Sequence, residues 1–171
     1  MSGGGSEKLR PQLEERAART ARWLASVDPG LTVTQRWLEN HSRIDLPPAP
    51  GADVAYRMMF DAGAYTLFAT PVADPEVGIF WHQTFEQMGA PSVEEAEPDF
   101  REFVLDVLTH ESRIVQRRGM LFHSFACELH RDDEWQRVGG QILVLRTSPR
   151  VPPIEGREKH YASAPVVQSA G

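Results

Sequence analysis

Residues 120–145 decide the fold, and they read MLFHSFACELHRDDEWQRVGGQILVL. Apolar side chains recur at every second position over 120–130 and again over 135–147, which is the period of a β-strand. The charged run at 131–134 between these two stretches is typical of a turn. The sequence therefore predicts a β-hairpin of two long strands here.

Both strands of this hairpin have apolar side chains on both faces. In the first strand, Leu121, His123, Phe125, Cys127 and Leu129 share one face, while Met120, Phe122 and Ala126 share the other. In the second strand, residues 142–145 are apolar throughout. Because strands of this kind are covered on both sides, we expect another element or another protein chain on the second face. Gly139 and Gly140 predict a bulge or a close backbone approach midway along the second strand.

A shorter hairpin is predicted over residues 54–68. The apolar residues of its first strand alternate along the chain, namely Val54, Tyr56, Met58 and Phe60. Gly63 supplies the left-handed residue that such a turn needs. The stretch 31–38 also alternates, although Thr32 and Gln35 have the spacing of a helix capping box, so a strand is favoured and a helix is the alternative.

Three helices are predicted from apolar residues at helical spacing and from signals at the helix ends. The first spans residues 11–27. The second follows the N-cap residue Asp74, covers about 75–88 and turns Trp81 inward. The third covers 98–118, with acidic residues at its start and arginines at its end.

These elements predict an α+β fold in which an antiparallel sheet from two hairpins packs against two or three helices. Residues 1–10 are rich in glycine and serine and are expected to form a flexible leader. The single domain is expected over 11–147. Residues 148–171, rich in proline, serine and alanine, are expected to form a flexible C-terminal arm.

Composition excludes several classes of protein. The chain has 171 residues, 24 acidic and 18 basic ones among them, and a formal charge of −6. This charge argues against nucleic acid and anionic lipid as partners. The lone Cys127 excludes an internal disulfide and a cysteine-based zinc module, which fits a reducing cytoplasm. The start of the chain lacks the features of a signal peptide and no apolar run is long enough to span a membrane, so we expect a cytoplasmic protein without membrane contact.

No phosphate-binding loop, HExxH, GxSxG or paired CxxC motif occurs in the sequence. His123 is the one weak catalytic candidate, as a base or ligand contact inside a pocket, and its alternative interpretation is a neutral core histidine. Cys127 lies about 13 Å from His123 along the same strand, which is too far for a catalytic dyad. His82 and Glu86 share a face of the predicted helix, but two ligands do not make a site, so no metal and no cofactor are expected.

The remaining polar cluster is the row formed by Glu102, Asp106 and His110 on the third predicted helix, which is interpreted as a solvated face. The favoured function is a non-enzymatic domain that binds another protein, or a second copy of itself, through an apolar sheet face. The alternative is a small cofactor-independent enzyme or carrier of an apolar ligand that uses His123. The candidate ligand- or partner-binding residues are Tyr56, Trp81, His82, His123 and Trp135.

Overall fold

The computed structural model describes residues 4–74, 80–86 and 93–168, with side chains from residue 7 onward. Within these ranges the chain forms two α-helices and nine β-strands. In chain order they are α1 (Gly4–Val27), β1 (Thr34–Leu38), β2 (His41–Asp45), β3 (Val54–Phe60), β4 (Ala64–Pro71), β5 (Trp81–Glu86), α2 (Glu97–Thr109), β6 (Ser112–Arg118), β7 (Phe122–Arg131), β8 (Glu134–Leu145) and β9 (Glu158–Ser163). None of the described helices is long and apolar enough to cross a membrane.

The strands form two antiparallel sheets. Sheet A has the order β1-β2-β3-β4-β5, and sheet B has the order β8-β7-β6-β9. The predicted α+β class is confirmed, with the expected antiparallel sheet divided into two. The core lies where the inner faces of both sheets meet the helices, and it includes Leu24, Tyr56, Met58, Leu67, Phe100, Leu108, Ile114 and Phe125.

Both predicted hairpins are confirmed, as β3–β4 and as β7–β8. In β3 every second residue is buried, because the alternating apolar side chains point into the core. The favoured strand within residues 31–38 is also confirmed, as β1. The strand β2 was not predicted, since Ile44 is the only apolar residue between His41 and Asp45.

The predicted helix over 75–88 is wrong where the structure describes it. Residues 75–79 and 87–88 lie outside the described ranges, and the residues between them contain β5. Trp81 and Phe85 face the core because they are four positions apart on a strand, with Gln83 between them on the same face. Two aromatic residues four positions apart share one face of a strand and also one face of a helix. Their spacing alone therefore did not distinguish a strand from a helix.

The predicted helix over 98–118 is wrong in its second half. The helix α2 ends at Thr109, and β6 follows after two residues. Ile114 and Val115 are both buried because they lie on opposite faces of a strand that is covered on both sides there. His110 ends the helix by adopting an extended backbone. The sequence around it contains no glycine or proline that would have indicated a helix end.

The two chain ends also differ from the expectation. The helix α1 begins at Gly4, so the predicted flexible leader over 1–10 is wrong for residues 4–10. The predicted flexible arm is wrong for β9, which pairs with β6 along the edge of sheet B and buries Tyr161. Backbone amides of Val166 and Val167 then bond to the carbonyl of Leu108. The described C-terminal residues therefore lie beside β6 and at the end of α2.

Candidate interaction surface

The outer face of sheet B carries the candidate site. Along β7 and β8 the inner face holds Phe125, Cys127, Leu129, Ile142 and Val144, and the outer face holds Phe122, Leu143 and Leu145. The predicted apolar character of both faces of this hairpin is confirmed. The inner face packs into the core, whereas the three outer side chains remain in contact with solvent.

Five large apolar side chains gather at one end of this outer face, and we call them the apolar tip: Met120, Leu121, Phe122, Leu143 and Leu145. Met120 is 87% exposed, Leu121 65% and Leu143 62%. Among the described residues, Val72 is the one other large hydrophobic side chain that is exposed. Exposed apolar residues are normally scattered over a protein surface, and a contiguous group of them marks an interaction site.

The backbone holds the apolar tip in place. Met120 and Leu121 occupy the turn between β6 and β7, and the amide of Gly119 donates to the carbonyl of Phe122 at 2.8 Å. Arg146 secures the turn from β8, because its amide donates to the Leu121 carbonyl at 3.0 Å and its Nη1 to the Met120 carbonyl at 3.1 Å. The expectation that Leu121 faces the core is wrong, since it sits in this turn and not on the strand.

Arginine side chains lie next to the apolar tip. A shallow groove of about 470 Å³ is lined by four residues of the tip together with Arg117 and Arg118. Arg117 pairs with Glu158 at 2.6 Å. Arg118 and Arg146 have no carboxylate partner among the residues that the structure describes. The tip therefore combines an apolar centre with two guanidinium groups that a binding partner can pair.

The opposite end of the same face is polar and satisfied internally. Arg113 pairs with Glu128 at 2.7 Å, and its guanidinium lies 4.1 Å from the centre of the Trp135 ring. The ring of His130 lies on the same indole at 5.1 Å. Trp135 is thus half-buried beside Arg113 and His130, at the end of β8 that is distant from Leu145.

His123 lies on the inner face of β7 in a closed hydrogen-bond network. Gln116 Nε2 donates to His123 Nδ1 at 2.9 Å and to the Pro152 carbonyl at 2.9 Å, while Gln116 Oε1 accepts from the hydroxyl of Tyr161 at 2.7 Å. Burial, with Arg146 and Arg118 nearby, lowers the pKa of His123. A histidine that accepts through Nδ1 in this setting is neutral, which matches the core interpretation of its role.

Tyr56 is buried and joins the two sheets. Its hydroxyl lies 2.7 Å from the hydroxyl of Ser112 on β6 and also interacts with the thiol of Cys127 on β7. Burial raises the pKa of Tyr56 well above its ordinary value and raises the pKa of Cys127 to about 12. Because a thiol reacts as its thiolate, Cys127 is an inert packing residue at neutral pH.

Trp81 is fully buried and fastens sheet A to β8. Its Nε1 donates to the carbonyl of Gly140 at 2.8 Å, and the amide of Gly140 donates to Gln83 Oε1 at 2.7 Å. Gly139 has φ +65°, and a Cβ there would lie 2.8 Å from Trp81 Cζ2. The strand register shifts at this position, so the predicted bulge with a close backbone approach is confirmed.

His82 lies on the outer face of sheet A, where its ring packs 5.6 Å from that of Phe68 and partial burial lowers its pKa. Glu86 shares that face, but residues four apart on a strand are about 13 Å apart. The described part of the chain brings together no group of three His, Cys, Asp or Glu side chains that could hold a metal ion.

The five candidate residues chosen from the sequence therefore do not form one site. Tyr56 and Trp81 belong to the core, His82 to the outer face of sheet A, and His123 and Trp135 to different ends of sheet B. The predicted two-faced hairpin located the surface, but it did not identify the turn at its end. Comparison with protein-family models, with curated proteins and with solved structures gives no match.

Proposed function

We propose that this chain is a non-enzymatic, cytoplasmic protein-binding domain and that the apolar tip is its docking surface. The observation that carries the proposal is the concentration of exposed large apolar side chains at this one place. Hydrogen bonds hold the backbone of the tip, so its conformation is set before a partner binds.

The energetics of exposure support binding at the tip. Complete burial of a leucine, methionine or phenylalanine side chain stabilises by about 1.5–3 kcal/mol. The five side chains of the tip are between 42% and 87% exposed, so a partner that covers them removes a large apolar surface from water. A centre of this kind with a charged rim is typical of a protein interface.

The alternative, a small enzyme or ligand carrier that uses His123, has less support. Two of the candidate ligand-binding residues, Tyr56 and Trp81, are buried among packed neighbours. His123 itself is bonded to Gln116, and it does not line the cavity along α2, the groove at the apolar tip or the cavity beside Tyr161.

A photoreactive amino acid at position 121 tests the proposal in the native host. Leu121 is 65% exposed, so a benzophenone side chain fits there without disturbing the core. We expect ultraviolet light to produce discrete protein adducts from position 121. The matched control places the same side chain at Glu39, which is exposed in the β1–β2 turn of the other sheet.

The adducts should disappear when Leu143→Glu is combined with the photoreactive residue, because a carboxylate in the centre of the interface cannot be desolvated without a large cost. Equal adducts from positions 121 and 39 would contradict the proposal. An absence of adducts from position 121, with the protein folded and expressed, would contradict it as well.

A further inference from the structure

A second open cavity, of about 750 Å³, lies along α2, and we call it the acidic groove. Its lining includes the side chains of Phe85, Asp99, Glu102, Phe103, Asp106 and Arg131. The rings of Phe85 and Phe103 lie 5.4 Å apart, which gives the groove an aromatic wall. A cavity of this volume is large enough to hold several large side chains of a partner.

The charges of the acidic groove are partly unpaired. Asp106 forms an ion pair with Arg131. Asp99 and Glu102 are exposed and have no ion-pair partner within the described residues. The polar row predicted on this helix is therefore not a uniformly solvated face, because part of it borders an apolar concavity.

The apolar tip and the acidic groove are complementary in charge, and both have apolar surface. The tip exposes Met120 and Leu121 in the turn between β6 and β7, whereas the groove has an aromatic wall formed by Phe85 and Phe103. Methionine packs favourably on aromatic rings. The tip carries unpaired arginines, and the groove carries unpaired carboxylates, so each surface supplies what the other lacks.

We propose that the apolar tip of one copy of this chain docks into the acidic groove of a second copy. This inference rests on the proposed function and names the partner of the same surface. Arg118 and Arg146 then face Asp99 and Glu102 across the interface.

The tip cannot fill the groove of its own chain. Phe122 at the start of β7 belongs to the tip, and Arg131 at the end of the same strand belongs to the groove. A strand of 10 residues spans about 30 Å. A second copy is therefore required, and each added copy presents a free tip and a free groove. Association of this type is head-to-tail and continues beyond a dimer unless it closes into a ring.

Light scattering on the purified full chain, at concentrations on the order of 1–100 µM, tests the proposal. We expect the mass to rise with concentration to values above that of a dimer, and to fall when salt screens the charges. Leu121→Glu at the tip and Glu102→Arg in the groove should each weaken association at least tenfold. Glu39→Arg makes the same charge change as Glu102→Arg on a distant turn and should leave association unchanged.

Mixing the two interface variants gives the sharpest result. The Leu121→Glu chain keeps its groove, and the Glu102→Arg chain keeps its tip, so together they retain one intact interface. We expect the mixture to form a 1:1 heterodimer that does not grow further, while each variant alone stays monomeric. A symmetric contact between two tips predicts no recovery in the mixture, and that result would overturn the proposal.

Two other outcomes would also overturn it. One is a wild-type chain that stays monomeric throughout the concentration range, while position 121 still captures a different protein; the proposed function then survives and the self-docking fails. The other is a monomer whose apolar tip binds vesicles of phosphatidylcholine and phosphatidylserine, which would assign the tip to a membrane surface. Circular dichroism of each variant verifies that it is folded.

Discussion

Replacement of Gly139 by alanine tests the junction between sheet A and β8. Gly139 has φ +65°, a conformation that costs about 1–2 kcal/mol for a residue with a Cβ. The added methyl group would also lie 2.7 Å from Gln83 Oε1 and 2.8 Å from Trp81 Cζ2. Trp81 is fully buried and cannot move freely, so overpacking adds about 1–3 kcal/mol. We expect Gly139→Ala to lower the free energy of unfolding by about 2–5 kcal/mol.

Substitutions at two other glycines separate the cost of the positive φ from the cost of overpacking against Trp81. Gly51 has φ +74° with open space around it, so Gly51→Ala should cost about 1–2 kcal/mol from backbone strain alone. Gly140 lies beside Gly139, but a Cβ there would be 3.6 Å from Gln83 Oε1, an ordinary contact. Gly140→Ala should therefore change stability by less than about 1 kcal/mol.

Urea unfolding followed by circular dichroism gives the free energy for each variant from its midpoint and slope. The expected order of destabilisation is Gly139→Ala, then Gly51→Ala, then Gly140→Ala. Equal costs for Gly139→Ala and Gly51→Ala would show that Trp81 does not restrict the space at the bulge, contrary to this prediction.

Three further predictions concern the buried polar groups. Gln116→Leu should cost about 3 kcal/mol in urea unfolding, because it leaves Tyr161, His123 and Pro152 without their shared partner; a cost below about 1 kcal/mol would contradict the network. The lowered pKa of His123 means that the unfolded chain binds its proton more readily, so stability should decrease as the pH falls below about 6.5. His123→Asn should reduce this slope, and an unchanged slope would count against the assignment. The raised pKa of Cys127, about 12, should make its thiol react with a disulfide reagent at pH 8 at least a hundredfold more slowly in the native state than in urea, whereas fast native labelling would show that it is accessible.

The hairpins could be predicted because two independent signals agreed in each of them. In β7–β8 the period of two was interrupted by the charged turn, and in β3–β4 by Gly63. The bulge at Gly139 was also visible, since paired glycines in a strand indicate a close backbone approach. In each case the local sequence and the final packing favour the same structure.

Where the prediction was wrong, the local signals conflicted with tertiary contacts. Trp81 and Phe85 fit a helix in sequence, but their partners on β4 and β8 select a strand. Ile114 continued a helical pattern into β6, with no glycine or proline to end it. The strand β9 is mostly polar and is held by pairing with β6 and by the packing of Tyr161, neither of which is visible in its own sequence.

The sequence predicted the apolar outer face of the β7–β8 hairpin, but it did not predict the exposed turn or the acidic groove. An excess of apolar residues on both faces of the hairpin predicted a second apolar face that another element or another protein chain covers, and Phe122 was placed correctly on that face. Leu121 was assigned to the inner face because alternation was extended through the turn. The acidic groove could not be found from the sequence, since Phe85 and Glu102 are brought together only by the packing of α2 beside β5.

The rate at which peroxide oxidises Met120 tests whether another protein covers the apolar tip. The Met120 side chain is 87% exposed in the isolated chain, so dilute purified protein should be oxidised rapidly to the sulfoxide by peroxide. In an extract of the native host that has been cleared of membranes, we expect oxidation at least fivefold slower, and the Leu143→Glu variant should lose this protection. Equal oxidation rates in dilute solution and in the extract would contradict the account.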